Sequence, residues 1–174
     1  MSCLPLTSWL FGKLPSHGDF IARGLAPDLR ERIDLWLSDE MARARADHGA
    51  EFEARYDAAP PWRFVDGTQG GVICASIDSA GRRFPILAGM RTSAAEQAGS
   101  AAAASETAIF RAFEEGSNAD DLAAILAGSE VDDGDPRLQA GWWVDGAGDF
   151  LPGRWPDGLI SRMLGYGSEN VETA

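Results

Sequence analysis

The sequence predicts a single α/β domain, and three observations lead to this fold class. The length of 174 residues, of which 45 % are hydrophobic, suits one compact domain with its own core. Apolar residues at helical spacing over residues 27–49 predict a long amphipathic helix. A β-hairpin is predicted by two apolar runs, GGVICASID and RRFPILAGM, because only a short loop that ends in Gly81 separates them.

The predicted long helix has recognisable ends and a one-sided apolar stripe. Pro27 suits a first helical turn, and Asp28 beside it is favourable near the positive end of the helix dipole. Gly49 is typical of a helix end. The stripe recurs every three or four residues and comprises Leu29, Ile33, Trp36, Leu37, Met41 and Ala44. We therefore expect one face of this helix to be buried.

The strands are predicted from apolar runs and from the residues that interrupt them. A first strand covers residues 9–14, and another begins at residues 62–65 after two prolines. The two hairpin runs are apolar nearly throughout, which is typical of strands covered on both faces, while Pro85 suggests a bulge or an edge position. The segment GWWVDGAGDFLPGRW predicts two short strands, in which Trp142 and Trp143 face opposite sides. We expect one tryptophan in the core and the other exposed as an anchor for protein contact.

The sequence signals for the remaining helices differ in strength. The alanine-rich segment SAAEQAGSAAAAS is compatible with a helix or with a flexible connection, and Ile109 and Phe113 indicate a helix after it. Asn118 is predicted to cap a further helix, with Asp121 at its third position. Pro156 is predicted to start the last helix.

Composition and charge exclude several classes of function. The formal net charge of −12 disfavours binding to nucleic acids and to anionic membranes, and a basic surface on a partner protein is the more natural target. Two cysteines, Cys3 and Cys74, are too few for a secreted disulfide framework. The N-terminus does not have the pattern of a signal peptide, and no apolar run approaches the roughly 20 residues that span a bilayer. We expect a soluble cytoplasmic protein.

The segment WLFGKLPSHGDFIARG contains the residue types of a hydrolase triad, Ser16, His17 and Asp19, within four positions. Natural triads draw their members from separated parts of the chain, and side chains of adjacent residues generally diverge. The sequence also lacks the G-x-S-x-G pattern of a nucleophile elbow. A shaped loop, whose serine and aspartate satisfy local backbone donors, is the favoured interpretation, and a small hydrolase remains the alternative.

Metal and phosphate sites are not indicated either. His17 and His48 do not have the spacing of paired metal ligands. The acidic cluster Asp132, Asp133 and Asp135 lacks the glutamate at the twelfth position that completes an EF-hand loop. We therefore expect no metal and no cofactor. Arg82 and Arg83, next to the hairpin turn, could bind a carboxylate or phosphate or could be ordinary surface charge.

Four short segments, in this order and at these spacings, resemble the N-terminal domain of the TagF (ImpM) family. They are WLFGKLPSHGDFIARGL, WL at residues 36–37, APPWRF at residues 59–64 and IDSAGRRFPI at residues 77–86. The close resemblance covers residues 9–91, and a weaker one, which includes the tryptophan pair, covers residues 92–167. We expect one TagF-like domain over residues 1–174, with a frayed tail over residues 168–174. The resemblance implies a three-layer α/β/α sandwich, and we expect a mixed, largely antiparallel central sheet.

The resemblance also implies a function. Members of this family are cytoplasmic regulators, typically post-translational repressors, of type VI secretion, and they are associated with its forkhead-associated (FHA) domain scaffold protein. The resemblance implies no established enzymatic activity. We expect a polar surface that contacts a secretion-apparatus partner, formed by Lys13, His17, Asp19, Arg82 and Arg83. Two alternatives remain: a small hydrolase that uses the Ser16, His17 and Asp19 loop, and a structural component of the apparatus.

Overall fold

The computed structural model describes residues 2–137 and 139–169, and its centre is a seven-stranded sheet. The strands are β1 (Thr7–Gly12), β2 (Ile21–Arg23), β3 (Trp62–Asp66), β4 (Gln69–Cys74), β5 (Ile86–Arg91), β6 (Gly141–Trp143) and β7 (Phe150–Pro152). Their spatial order is β2-β1-β5-β4-β3-β6-β7, and each pairing between these described strands is antiparallel. The predicted α/β class, with a largely antiparallel sheet, is confirmed.

Helices cover both faces of this sheet. They are α1 (Pro27–His48), α2 (Phe52–Asp57), α3 (Ala98–Glu115), α4 (Ala119–Ala127) and α5 (Leu159–Glu169), with short 3₁₀ turns at Gly49–Glu51 and Ala95–Gln97. On β4, Ile73 packs in the core that contains α1, α2 and α5, whereas its neighbours Val72 and Cys74 pack in the core that contains α3 and α4. The uniformly apolar hairpin runs therefore belong to strands that are covered on both faces, as predicted.

The strongest local predictions are confirmed. Helix α1 begins at Pro27 and buries the centre of its apolar stripe, while Gly49 follows its last residue. The side chain of Asn118 accepts a hydrogen bond from the Asp121 N–H, and the Asp121 carboxylate accepts one from the Asn118 N–H, so α4 begins with a capping box. The β4–β5 and β6–β7 hairpins are both present.

The alanine-rich segment is helical because it packs very closely against β4. Helix α3 begins at Ala98 and buries Ala101 and Ala102 completely. A Cβ atom added at Gly70 of β4 would lie 1.9 Å from the carbonyl oxygen of Ala98. Only a glycine facing small helical residues allows this approach. The composition therefore reflects the helix–sheet distance, and the alternative of a flexible connection is wrong.

Several details differ from the expectations; α5, for example, begins at Leu159 and not at Pro156. Pro85 lies immediately before β5, which is a central strand, so it occupies no ladder position. Trp142 and Trp143 do pack in different cores, but both are buried, with 2 % and 7 % of their surface exposed. The Arg137 guanidinium lies 3.8 Å from the ring centroid of Trp143 and helps to cover it. The expected exposed tryptophan anchor is therefore wrong. Of the expected frayed tail, residues 170–174 lie outside the described residues.

Candidate functional site

The candidate site is formed by two segments that meet beyond the ends of β1 and β5. The first loop, residues 13–20, joins β1 to β2, and the hairpin tip, residues 75–85, joins β4 to β5. The Ser79 N–H donates to the His17 carbonyl over 2.7 Å, and the Lys13 N–H donates to the Pro85 carbonyl. Gly81 supplies the positive φ of 81° at the turn of the hairpin tip. Because β1 and β5 are neighbours, the sheet itself brings the two segments together.

A buried carboxylate, Asp78, organises both segments. It is 1 % exposed and accepts hydrogen bonds from Lys13 Nζ at 3.0 Å and from Arg82 Nε at 2.7 Å. The backbone N–H groups of Ala80 and Arg82 also donate to it. Burial opposes ionisation of Asp78, but the hydrogen bonds from the Arg82 backbone, Lys13 and the Arg82 side chain outweigh it and hold the pKa of this carboxyl well below its usual range. The carboxylate therefore stays charged between two cations.

Further buried bonds hold the hairpin tip to the first loop and to α2. The Tyr56 hydroxyl donates to the Ser76 carbonyl at 2.9 Å and accepts from the Ser76 N–H at 3.0 Å. Burial raises the pKa of Tyr56, so this hydroxyl keeps its proton. Ser76 Oγ in turn donates to the Lys13 carbonyl at 2.7 Å. These contacts fix the backbone of both segments before any partner binds.

The three residues of the hydrolase alternative point to three separate partners. Ser16 Oγ donates to the Ser117 carbonyl at 2.7 Å, and His17 Nε2 accepts from the Ala119 N–H, at the start of α4, at 2.9 Å. Asp19 accepts from the N–H of the next residue in the chain. Within residues 2–137 and 139–169, no hydrogen bond joins the serine to the histidine or the histidine to the aspartate. A nucleophile needs a base within hydrogen-bond reach, so this geometry does not support the alternative.

Arg82 and Arg83 diverge although they are adjacent. Arg82 reaches back to Asp78 and donates to the Gly18 carbonyl at 2.7 Å. Arg83 makes a bidentate ion pair with Asp57 of α2, with both hydrogen bonds at 2.8 Å. This hydrogen-bonded pair lowers the pKa of Asp57 and raises that of Arg83. The two arginines therefore attach the hairpin tip to different neighbours, one to the first loop and one to α2.

Three of the five predicted contact residues line one open groove of about 770 Å³. We call it the cationic groove and define it by Lys13, Arg45, Arg82 and Arg83. The sequence analysis missed Arg45, for which the one available signal is a basic residue in the last turn of α1. Its guanidinium lies 4.5 Å from the ring centroid of Phe52 and, within the described part of the chain, has no carboxylate partner. The other two predicted residues, His17 and Asp19, do not line the groove.

The described residues form neither a metal-ligand cluster nor a membrane-spanning helix. No group of three or more His, Cys, Asp or Glu side chains there could hold a metal ion. No helix in that part of the chain has the length and apolar character needed to cross a membrane.

Comparison with known proteins identifies the family. The model of the TagF N-terminal domain, described as type VI secretion system-associated, matches residues 10–129. The chain belongs to the TagF N-terminal domain family. The TagF match includes the first loop, the hairpin tip and the cationic groove. No curated protein matches the chain.

A solved structure shares the fold of this chain. The crystal structure of PA0076 from Pseudomonas aeruginosa PAO1 aligns with a TM-score of 0.70 and 20 % sequence identity. The alignment covers 91 % of this chain and 94 % of that chain. At this level of identity the likeness concerns the fold alone. The structural alignment continues beyond residue 129, where the match to the TagF family model ends.

Proposed function

We propose that the protein is a non-enzymatic, cytoplasmic accessory protein of type VI secretion that represses secretion post-translationally by contacting the FHA-domain scaffold. The single observation that carries this proposal is the match of residues 10–129 to the TagF N-terminal domain, a type VI secretion system-associated family. The family match concerns the association with the secretion system. The regulatory role, the scaffold partner and the cytoplasmic location are parts of the proposal.

The geometry of the first loop favours binding over catalysis. Its polar side chains are engaged in bonds that fix the loop: Ser16 to the residue before the α4 cap, His17 to the α4 N-terminus and Lys13 to Asp78. A surface fixed in advance loses little conformational entropy when a partner binds, which favours affinity. Turnover of a simple ester by the wild-type protein, abolished in His17→Ala, would contradict the absence of enzymatic activity.

The cationic groove, which includes three of the five contact residues expected from the sequence, is the centre of the proposed contact surface. The Arg82 side chain is 64 % exposed, and Arg45 is also exposed without an ion pair among the described residues. On a chain of net charge −12, a groove whose four cations outnumber its one lining carboxylate, Glu53, is a local exception. It suits an acidic segment of the partner, since complementary charge steers association and fixes orientation.

The direct test uses the purified FHA-domain scaffold protein and isothermal titration calorimetry. Arg45→Glu reverses a charge in the groove without breaking a described ion pair, and we expect it to weaken binding about tenfold or more. The matched control is Arg30→Glu, which reverses an exposed charge without a described ion pair near the other end of α1 and should bind like the wild type. Equal binding of both variants would refute the groove as the contact surface. Absence of binding by the wild type would refute the scaffold as the partner.

A deletion in the native bacterium separates the regulatory role from the structural alternative. If the protein is a repressor, secretion of type VI effectors should rise or become unregulated when it is absent. If it is a component of the apparatus, secretion should stop. Loss of secretion on deletion would therefore contradict the proposed repression.

A further inference from the structure

A second concave feature lies on the sheet face that α1 covers. It is a cavity of about 60 Å³ and shares no residue with the cationic groove. Four aromatic side chains line it: Trp9 of β1, Phe64 of β3, Trp142 of β6, and Trp155 between β7 and α5. We call it the aromatic pocket. Nothing in the proposed function uses it.

Two glycines determine how the aromatic rings lie. Trp9 is paired with Gly89 on the neighbouring strand, and Phe64 is paired with Gly71. A Cβ atom at Gly89 would lie 2.7 Å from the Trp9 ring, and one at Gly71 would lie 2.4 Å from the Phe64 ring. Each ring therefore extends across a position that must have no side chain. The ring centroids of Trp9 and Phe64 are 6.1 Å apart, so the two rings form a continuous aromatic surface.

The charges at the aromatic pocket favour a cation. Aromatic ring faces carry partial negative charge, and the carboxylate of Asp66 is part of the same lining. The guanidinium of Arg154 pairs with Asp66 and lines the pocket, while the Arg32 guanidinium lies 4.8 Å from the Trp155 ring centroid. Arg32 thus already makes a cation–π contact with one lining ring, and Arg154 makes an ion pair with the lining carboxylate. Once the Arg154 side chain has moved away, an anion would meet the ring faces and the unpaired Asp66 carboxylate.

The side chain of Arg154, which lines the pocket, can be displaced. Its side chain is 60 % exposed, so it can move into solvent, whereas its backbone is held separately because Trp142 Nε1 donates to the Arg154 carbonyl at 3.0 Å. With the guanidinium in place, the cavity has a volume of only about 60 Å³. Removing that side chain both enlarges the pocket and leaves Asp66 without its counter-ion.

We propose that the aromatic pocket binds a methylated ammonium group, with Asp66 as the counter-ion and with displacement of the Arg154 side chain. Aromatic faces together with a carboxylate attract such a group through cation–π and ionic interactions, and its methyl groups tolerate an apolar lining. The group can be carried by a small molecule or by a trimethylated lysine of another protein.

The test is a titration of the full chain with choline, followed by tryptophan fluorescence and by calorimetry. Arg154→Ala should bind choline about tenfold more tightly than the wild type, because the competing cation is absent. Asp66→Asn, introduced into the Arg154→Ala protein, should reverse that gain. The matched control is Arg111→Ala, which removes an exposed, ion-paired arginine from α3 and should leave choline binding unchanged.

Two comparisons make the outcome decisive. The alcohol 3,3-dimethylbutan-1-ol has the shape of choline without its charge and should bind at least tenfold more weakly. Equal binding of the alcohol, or no saturable choline binding by an Arg154→Ala protein that circular dichroism shows to be folded, would overturn the proposal. In a parallel titration, tighter binding of N-acetyl-trimethyllysine amide than of choline would support a protein side chain as the source, and the reverse order would support a small molecule.

Discussion

The contact between β4 and α3 gives a prediction that follows directly from the coordinates. In Gly70→Ala, the new Cβ would lie 1.9 Å from the Ala98 carbonyl oxygen and 2.9 Å from the Ala102 nitrogen. Both atoms belong to the backbone of α3, so no side-chain rotation relieves the clash, and the helix itself must move. Overpacking of a core costs about 1–3 kcal/mol. Because the obstructing atoms belong to the backbone, we expect Gly70→Ala to lower the free energy of unfolding by about 3 kcal/mol.

The assay is thermal unfolding of Gly70→Ala and of Gly99→Ala, a control variant within α3. A loss of about 3 kcal/mol corresponds to a fall in Tm of about 6–12 °C for a chain of this size. Gly99 lies one residue after Ala98 within α3, and a Cβ there would have nothing within 4 Å. Gly99→Ala should therefore keep or raise the Tm, since alanine favours helix over glycine by up to about 1 kcal/mol. If both variants melt within about 1 °C of the wild type, the close packing of α3 on β4 is wrong.

Three further predictions concern the loops and the core. The hydrogen bonds that lower the pKa of Asp78 stabilise the fold fully above the unfolded-state pKa of about 3.9, and this stabilisation is lost as the pH falls below that value. Asp78→Asn should therefore flatten the acid limb of a plot of Tm against pH. An unchanged acid limb would contradict this prediction. His17→Ala leaves the Ala119 N–H without its acceptor and should lower the free energy of unfolding by about 1–3 kcal/mol. Hydrogen exchange at Ala119 should become faster, and unchanged exchange would argue against the contact. A thiol reagent should modify Cys3, which is exposed, in the native protein. It should modify Cys74 only after unfolding, because burial raises the pKa of this thiol. Two reactive thiols in the native protein would refute the burial of Cys74.

The sequence was informative where the physical signal is local. The stripe of α1 and the Asn118 cap of α4 each depend on residues within a few positions of one another, and both predictions are confirmed. The alanine-rich start of α3 was ambiguous because its helical packing depends on Gly70, on a distant strand. A pattern of alanines has too little contrast between faces to show which one is buried.

The candidate site was predicted only in outline for a similar reason. The two motifs that contain it were singled out, but Asp78 was not, because its importance arises from Lys13, 65 positions earlier in the chain. Arg82 and Arg83 were grouped by adjacency, although neighbouring residues in an extended chain point to opposite sides. The same argument would have separated them at the outset.

The pairing of β6 with β3 limits how far the chain can be shortened. A fragment that stops at residue 129, where the family match ends, would lack β6, β7 and α5. Strand β3 would then present an open row of amides and carbonyls, and Ile33 and Leu37 of α1 would lose Leu159 and Leu164 from their shared core. Unprotected strand edges recruit other chains, so such a fragment should precipitate or self-associate even though it retains every recognisable TagF motif in the first half of the molecule.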